Sequence, residues 1–171
     1  FITPRLKKAG LDTADAGSYR PISNLSVISK LLERLVCHRL FAYLLSAGLL
    51  QTYQSAYRPN HSTETATLRV LSDILQFVDE GDVAVLVLLD LSSAFDTVDH
   101  GILLRRLEVL FGLTGHALDW FRSYLTGRTQ YTRLGTHRSP VSFLTCNVPQ
   151  GSVLGPVLFL LYSAALQDII I

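Results

Sequence analysis

Residues 83–89, "VAVLVLL", are seven consecutive apolar residues that run directly into Asp90. The run is too short and too rich in valine for a helix start. It is apolar on both faces, which predicts a central strand buried on both sides. Such a strand, followed by an acid and then by helical text, predicts an α+β domain. Two readings of Asp90 stand side by side. It can cap the next turn, or it can be a carboxylate held rigidly at a strand end, the placement that Mg²⁺-assisted phosphoryl chemistry requires. Asp96 and Asp99 follow closely. Asp96 reads as a local backbone acceptor, and Asp99 stands where a helix N-cap belongs, ahead of "HGILLRRLEVL". His100 reads as a surface or packing histidine.

The remaining text is mostly helical. Apolar residues at helical spacing predict a helix within residues 22–45, with Lys30, Glu33, Arg34 and Arg39 mostly on its other faces and Gly48 as its stop. "QSAYRPNHSTETA" breaks regular structure at Pro59 and Asn60. A second helix, capped by Ser62 or Thr63, then runs to about Asp79. Further helices are predicted over residues 99–111 and 115–125. Strands within 130–134 and 141–146 pair around "GTHRSP", and a buried helix starts near Gly155. Residues 1–19 read as irregular. "VLGPVLFLLYSAAL" is too short to span a bilayer and contains a proline, so it belongs to a core.

A hydrophobic content of 49% with 17% charged residues is enough for a sizeable core and excludes wholesale disorder. The net charge is only +1, but it is segregated. Residues 1–40 hold seven Lys/Arg against three acids, a net of +4. Between Arg69 and Arg105 lie seven acids and no Lys or Arg, and from Arg122 to Arg138 there are four Arg and no acid. A polyanion binder with an acidic metal centre has this pattern, and so do ordinary solvated helix faces. Cys37 and Cys146 have no Cys or His at ligand spacing nearby, which predicts two reduced core thiols in an intracellular protein. The 171 residues contain no Met, start at Phe1 and stop on "DIII", so a longer reading frame is expected.

Three further places offer chemistry. In "NVPQGSVLGP", Pro149 stiffens the chain, Gln150 offers a donor and an acceptor, and Gly151 permits close approach of backbone to a ligand; a strand-to-helix turn would use the same residues. In "GSYRPISN", Arg20 precedes a proline-fixed turn and could clamp a phosphate with two hydrogen bonds. Arg58 repeats the arrangement in "YRPN". Both arginines also fit an ordinary surface.

Four stretches in order resemble the reverse transcriptases of LINE-type, non-LTR retrotransposons: "SYRPISNLSVISKLLERLVCHRL", "QSAYRPNHSTETA", "VLLDLSSAFDTVDH" and "NVPQGSVLGPVLFLLY". The resemblance implies a right-hand polymerase fold, here fingers and a partial palm, truncated before the Asp-Asp hairpin and the thumb. Residues 1–80 would be mainly fingers, and 81–171 a partial palm with a fingers insertion near 113–147. Asp90 matches the first catalytic aspartate and metal ligand, and the backbone carbonyl of Leu91 would help hold a second ion. Phe95 matches the bulky residue that excludes a 2′-OH. Gln150 and Gly151 match the pair that lies against incoming nucleotide and template. Arg20 matches a triphosphate contact, and Arg58 has no specific assignment beyond nucleic acid.

The implied cofactor is Mg²⁺, two ions in a complete enzyme, with Mn²⁺ as a substitute. The implied partners are an RNA template, a DNA primer and deoxynucleoside triphosphates, with no membrane and with location in the nucleus or cytoplasm. The aromatic-Ala-Asp-Asp motif of that family does not occur in this sequence. Two other functions compete. One is a non-catalytic nucleic-acid-binding remnant of such a polymerase. The other is a phosphohydrolase with an aspartyl nucleophile, which would want a second Asp where Ser92 stands.

Overall fold

A computed structural model describes residues 1–91 and 93–166 of the chain. It is mixed helix and strand and divides into two compact units. One comprises Phe1–Leu49 with the chain from Ser93 onward, and the other is the segment between them.

In the first unit, β1 (Ile2–Leu6) and β2 (Tyr19–Ser23) form an antiparallel ribbon, where irregular chain was expected up to residue 19 and a turn and the first residues of the helical pattern after it. Pro4 lies opposite Pro21, and neither has an N–H to give to a ladder, so this ribbon suits an edge. Ser26 then caps α1 (Val27–Ser46), accepting from the Ser29 N–H at 3.1 Å. The buried side of α1 is Glu33, Leu40 and Leu44. Of the apolar residues at helical spacing, Leu40 is buried, while Ile28 is 80% exposed and Leu35 is 57% exposed. The Tyr43 hydroxyl donates to the Phe111 carbonyl at 2.8 Å and ties α1 to the end of the next helix of this unit.

That helix, α3 (His100–Val109), begins at an Asp99 cap whose carboxylate accepts from the Ile102 N–H at 2.8 Å. It packs against both α4 (Gly115–Leu125) and α5 (Gly155–Ser163). Leu103, Leu107, Leu125, Leu154, Leu158 and Leu161 are all but inaccessible to solvent and form the centre of the core. Each such side chain stabilises the fold by roughly 1.5–3 kcal/mol relative to exposure. Between α4 and α5 the chain makes two nested hairpin pairings. β3 (Thr129–Gln130) pairs with β6 (Ser142–Phe143), and β4 (Arg133–Leu134) pairs with β5 (His137–Arg138). Three arginines of the acid-free run lie over aromatic rings: Arg128 over Tyr124, Arg133 over Phe1 and Arg138 over Tyr131. The cysteines depart from expectation: Cys146 is exposed, while Cys37 is half-buried, with its thiol pKa raised first by burial and then by the negative charge of Glu33.

The second unit is built on α2 (Thr63–Asp79). Ser62 and Thr65 form a reciprocal capping box at its start, and no residue of the helix is buried. Residues 83–91 form no regular secondary structure, which corrects the expected strand. Val83 is 90% exposed and Leu88 83% exposed. A strand exists only through hydrogen bonds to a neighbour, and among the described residues none pairs with this run.

Candidate nucleotide-binding site

The "NVPQGSVLG" loop leads into α5, and three other elements hold it. From β2, the Ser23 N–H donates to the Gln150 carbonyl at 2.8 Å. Gly151 adopts φ +98°, and a Cβ on it would stand 3.6 Å from the Ser23 carbonyl oxygen. The loop therefore needs glycine for its conformation at this point. From the turn before α3, the Val148 N–H donates to the Phe95 carbonyl at 2.9 Å and the Asn147 N–H to the Val98 carbonyl at 2.8 Å. Asn147 also donates its side-chain amide to Asp96 at 3.2 Å, and its backbone carbonyl oxygen lies 2.8 Å from His100 Nε2. His100 is thus a buried packing residue that braces the loop. From α1, Glu33 reaches in: its Oε2 accepts from the Val153 N–H at 2.7 Å and from the Leu154 N–H at 3.3 Å. The site expectations did not include Glu33. Its neighbours in sequence signal only a helix, and the amides it serves lie 120 and 121 residues away.

These links bring four of the expected residues onto one scaffold. Arg20 is exposed in β2, three residues before Ser23 and directly opposite Arg5. Cross-strand partners share a face, so two guanidinium groups project from one side of the ribbon; like charges so placed repel unless an anion joins them. Phe95 is half-buried, with its ring 5.5 Å from that of Phe159 in α5. The Gln150 Oε1 is a buried acceptor with no hydrogen-bond partner, an expensive state unless a donor arrives. The Asp96 carboxyl pKa is raised by burial.

The second unit holds the other three. Asp90 and Leu91 are exposed in irregular chain. Arg58 is half-buried and donates through Nη1 to the carbonyls of Gln51, at 2.9 Å, and Gln54, at 3.2 Å, so it ties its own loop together. Among the described residues, no three His, Cys, Asp or Glu side chains gather as a ready-made metal cluster. A lone carboxylate such as Asp90 still fits one ligand position of Mg²⁺, an ion that takes most of its oxygens from water and substrate phosphates. Among the same residues, no helix is long and apolar enough to cross a membrane.

Comparison with known proteins covers nearly the whole chain. Residues 6–170 match the family model described as reverse transcriptase (RNA-dependent DNA polymerase). The chain belongs to the reverse transcriptase family. It is 35% identical over 161 residues to the "Probable RNA-directed DNA polymerase from transposon BS" of Drosophila melanogaster, a match covering 94% of this chain and 18% of that protein. It is 36% identical over 167 residues to the X-element polymerase of the same fly, with coverage of 95% and 18%. To the "RNA-directed DNA polymerase from mobile element jockey" of Drosophila funebris it is 33% identical over 161 residues, covering 94% and 17%. The chain spans under a fifth of the length of these relatives. The transposon polymerases agree with the resemblance to the LINE-type, non-LTR class.

Proposed function

We propose that this chain is the fingers and partial palm of an RNA-directed DNA polymerase that copies a retrotransposon RNA. Residues 1–80 would be mainly fingers and 81–171 partial palm, with a fingers insertion near 113–147. The observation that supports this reading best is the stitching of β2, Phe95 and the Gln150 loop into one scaffold by the 2.8 and 2.9 Å backbone bonds. A site that receives a nucleoside triphosphate needs a cation for the phosphates, a surface for the sugar and hydrogen-bonding groups near the base, all held rigidly. Arg20 supplies the first, with Arg5 beside it. Phe95 supplies bulk where a 2′-OH would stand. Gln150 supplies the unsatisfied acceptor, and Gly151 lets backbone come close. Asp90 and the Leu91 carbonyl would take their share of the coordination of Mg²⁺ or Mn²⁺. The bound ions would lower the pKa of the primer 3′-OH and neutralise the leaving pyrophosphate. The substrates are an RNA template, a DNA primer and deoxynucleoside triphosphates. Arg58 is assigned a secondary contact to nucleic acid.

The test is a chimera in which this chain replaces the matching stretch of a transposon polymerase such as that of jockey. The chimera should extend a DNA primer on an RNA template with Mg²⁺. Asp90→Ala should lower extension by about a thousandfold or more, since it removes a ligand that acts in the transition state, while RNA binding is retained. Arg20→Ala should mainly raise the KM for nucleotide. Full activity in Asp90→Ala would end the polymerase reading of that residue. A chimera that binds RNA and extends nothing would favour a non-catalytic nucleic-acid-binding remnant.

A further inference from the structure

Glu33 is the most buried charged side chain of the chain's described residues, only 1% exposed, on a helix whose Lys30 is half-buried and whose Arg34 and Arg39 are exposed. A carboxylate is removed from water at high cost unless hydrogen bonds replace its hydration. Here they come from a distant element. Oε2 takes the Val153 and Leu154 N–H groups at the start of α5, and Oε1 takes the Ser29 hydroxyl at 3.3 Å. The helix needs such a partner. Its N-cap, Leu154, has no side-chain oxygen to offer, and Pro156 stands in its first turn. The first amides of any helix lack intrahelical acceptors, and an anion there also meets the positive end of the helix dipole. Ser152 completes the cap, with its hydroxyl oxygen accepting from the Gly155 N–H at 2.8 Å.

The arrangement fixes more than a helix end. Gln150 and Gly151 lie two to four residues before the amides that Glu33 holds, and the Ser23 N–H holds the other side of the same loop. The Tyr124 hydroxyl lies buried in the same cluster, beside Glu33 and Ser152. Burial first, and the negative charge of Glu33 second, push its pKa up. We propose that Glu33 is a positioning residue for nucleotide binding: from α1 it caps α5 and so holds the Gln150 and Gly151 loop in its binding conformation. The role rests on the polymerase reading of that loop. Glu33 touches no substrate; it acts through Val153 and Leu154.

Two measurements test it. In this chain, amide hydrogen exchange should quicken at Val153 and Leu154 in Glu33→Ala, while Leu158, deeper in α5, changes far less. Glu33→Gln should restore the protection. Its carbonyl oxygen can stand where Oε2 stands, and its amide can turn to the Ser29 oxygen. In the active chimera, Glu33→Ala should raise the KM for dTTP by about tenfold with a smaller change in kcat. Glu33→Gln should bring the KM back to within about threefold of the parent. Combining Glu33→Ala with Gln150→Ala should give less than the sum of the two effects, because both act through one loop. Where Glu33→Ala does not fold, Glu33→Asp carries the same test, since it keeps the charge and withdraws the carboxylate by one methylene. Unchanged exchange at Val153 and Leu154, or a parental KM in the Ala or Asp variant, would overturn the proposal. If Gln150→Ala itself leaves the KM unchanged, the polymerase reading of the loop fails instead, and the exchange experiment still reports whether Glu33 holds it.

Discussion

Phe95 carries both a packing load and an assigned role. Its ring meets Phe159 at 5.5 Å with an interplanar angle of 50°, yet part of it stays exposed. Phe95→Val should therefore do two separable things in the active chimera. Lost contact with α5 should cost about 1–3 kcal/mol of stability. Lost bulk should raise ribonucleotide incorporation while deoxynucleotide incorporation changes less. A variant that loses stability and keeps its sugar discrimination would make Phe95 a packing residue only. Asp96, next in the chain, gives a pH signature. Burial raises its pKa, so the folded state holds the proton more tightly than the unfolded state does. Its ionisation then works against the fold: stability is lost as pH rises through and above the unfolded value of about 4. Asp96→Asn keeps an oxygen for the Asn147 amide and does not ionise. Its melting temperature should gain on the parent as pH rises from about 3 to 6. A difference that stays constant over that range would show that burial does not govern this carboxyl. Gly155 is constrained more simply, since a Cβ there would lie 2.6 Å from Ser152 Oγ and 3.1 Å from the Pro149 carbonyl oxygen.

Among the elements, the helices whose signals are local were the legible ones. Ser62 caps α2 as the sequence suggests, and Asp99 caps α3. Ser62→Ala removes one half of the capping box and should cost about 1 kcal/mol, visible as faster amide exchange in the first turn of α2. Unaltered exchange there would mean that the Thr65 half suffices. Elements that depend on distant partners were not legible in the same way. The β1–β2 ribbon carries Pro4 and Pro21, which argue against strand in a single-sequence reading. Only the pairing shows that the two prolines face each other and share the loss of donors. The run at 83–89 has the composition of a central strand and no ladder, because composition reports burial preference and not the presence of a neighbour. Glu33 fell on the polar side of a helical pattern, and only the tertiary structure brings α5 to it. Of the candidate site, Phe95, Gln150 and Gly151 were picked out by the motifs that contain them, and the structure brings them onto one scaffold, while their nucleotide roles belong to the proposal. Their mutual bracing was not readable, because it runs through backbone groups that every residue possesses.

At the scale of the whole molecule, family membership does not by itself decide catalytic competence. The chain matches the reverse transcriptase model over residues 6–170, yet it carries no aromatic-Ala-Asp-Asp motif. In-line transfer of a nucleotidyl group develops charge on both the attacking and the leaving oxygens, and two ions near 4 Å apart answer it together. Mutual repulsion of two divalent ions at that distance demands several anionic oxygens around them. On the proposed reading Asp90 would supply one carboxylate from this chain, and a triphosphate would supply further oxygens only once bound. On that reading the ground state would assemble in part while the transition state would lack support. The 171-residue chain on its own should incorporate no measurable dTTP on an RNA template with a DNA primer, in Mg²⁺ or in Mn²⁺. The chimera that restores the remaining sequence should incorporate it. Mn²⁺ is the sharper condition, because it accepts less ideal coordination and would reveal a weak residual activity first. Robust turnover by the chain alone would show that a single aspartate and the substrate suffice to hold the ions, and the account of Asp90 as one ligand among several would have to be abandoned.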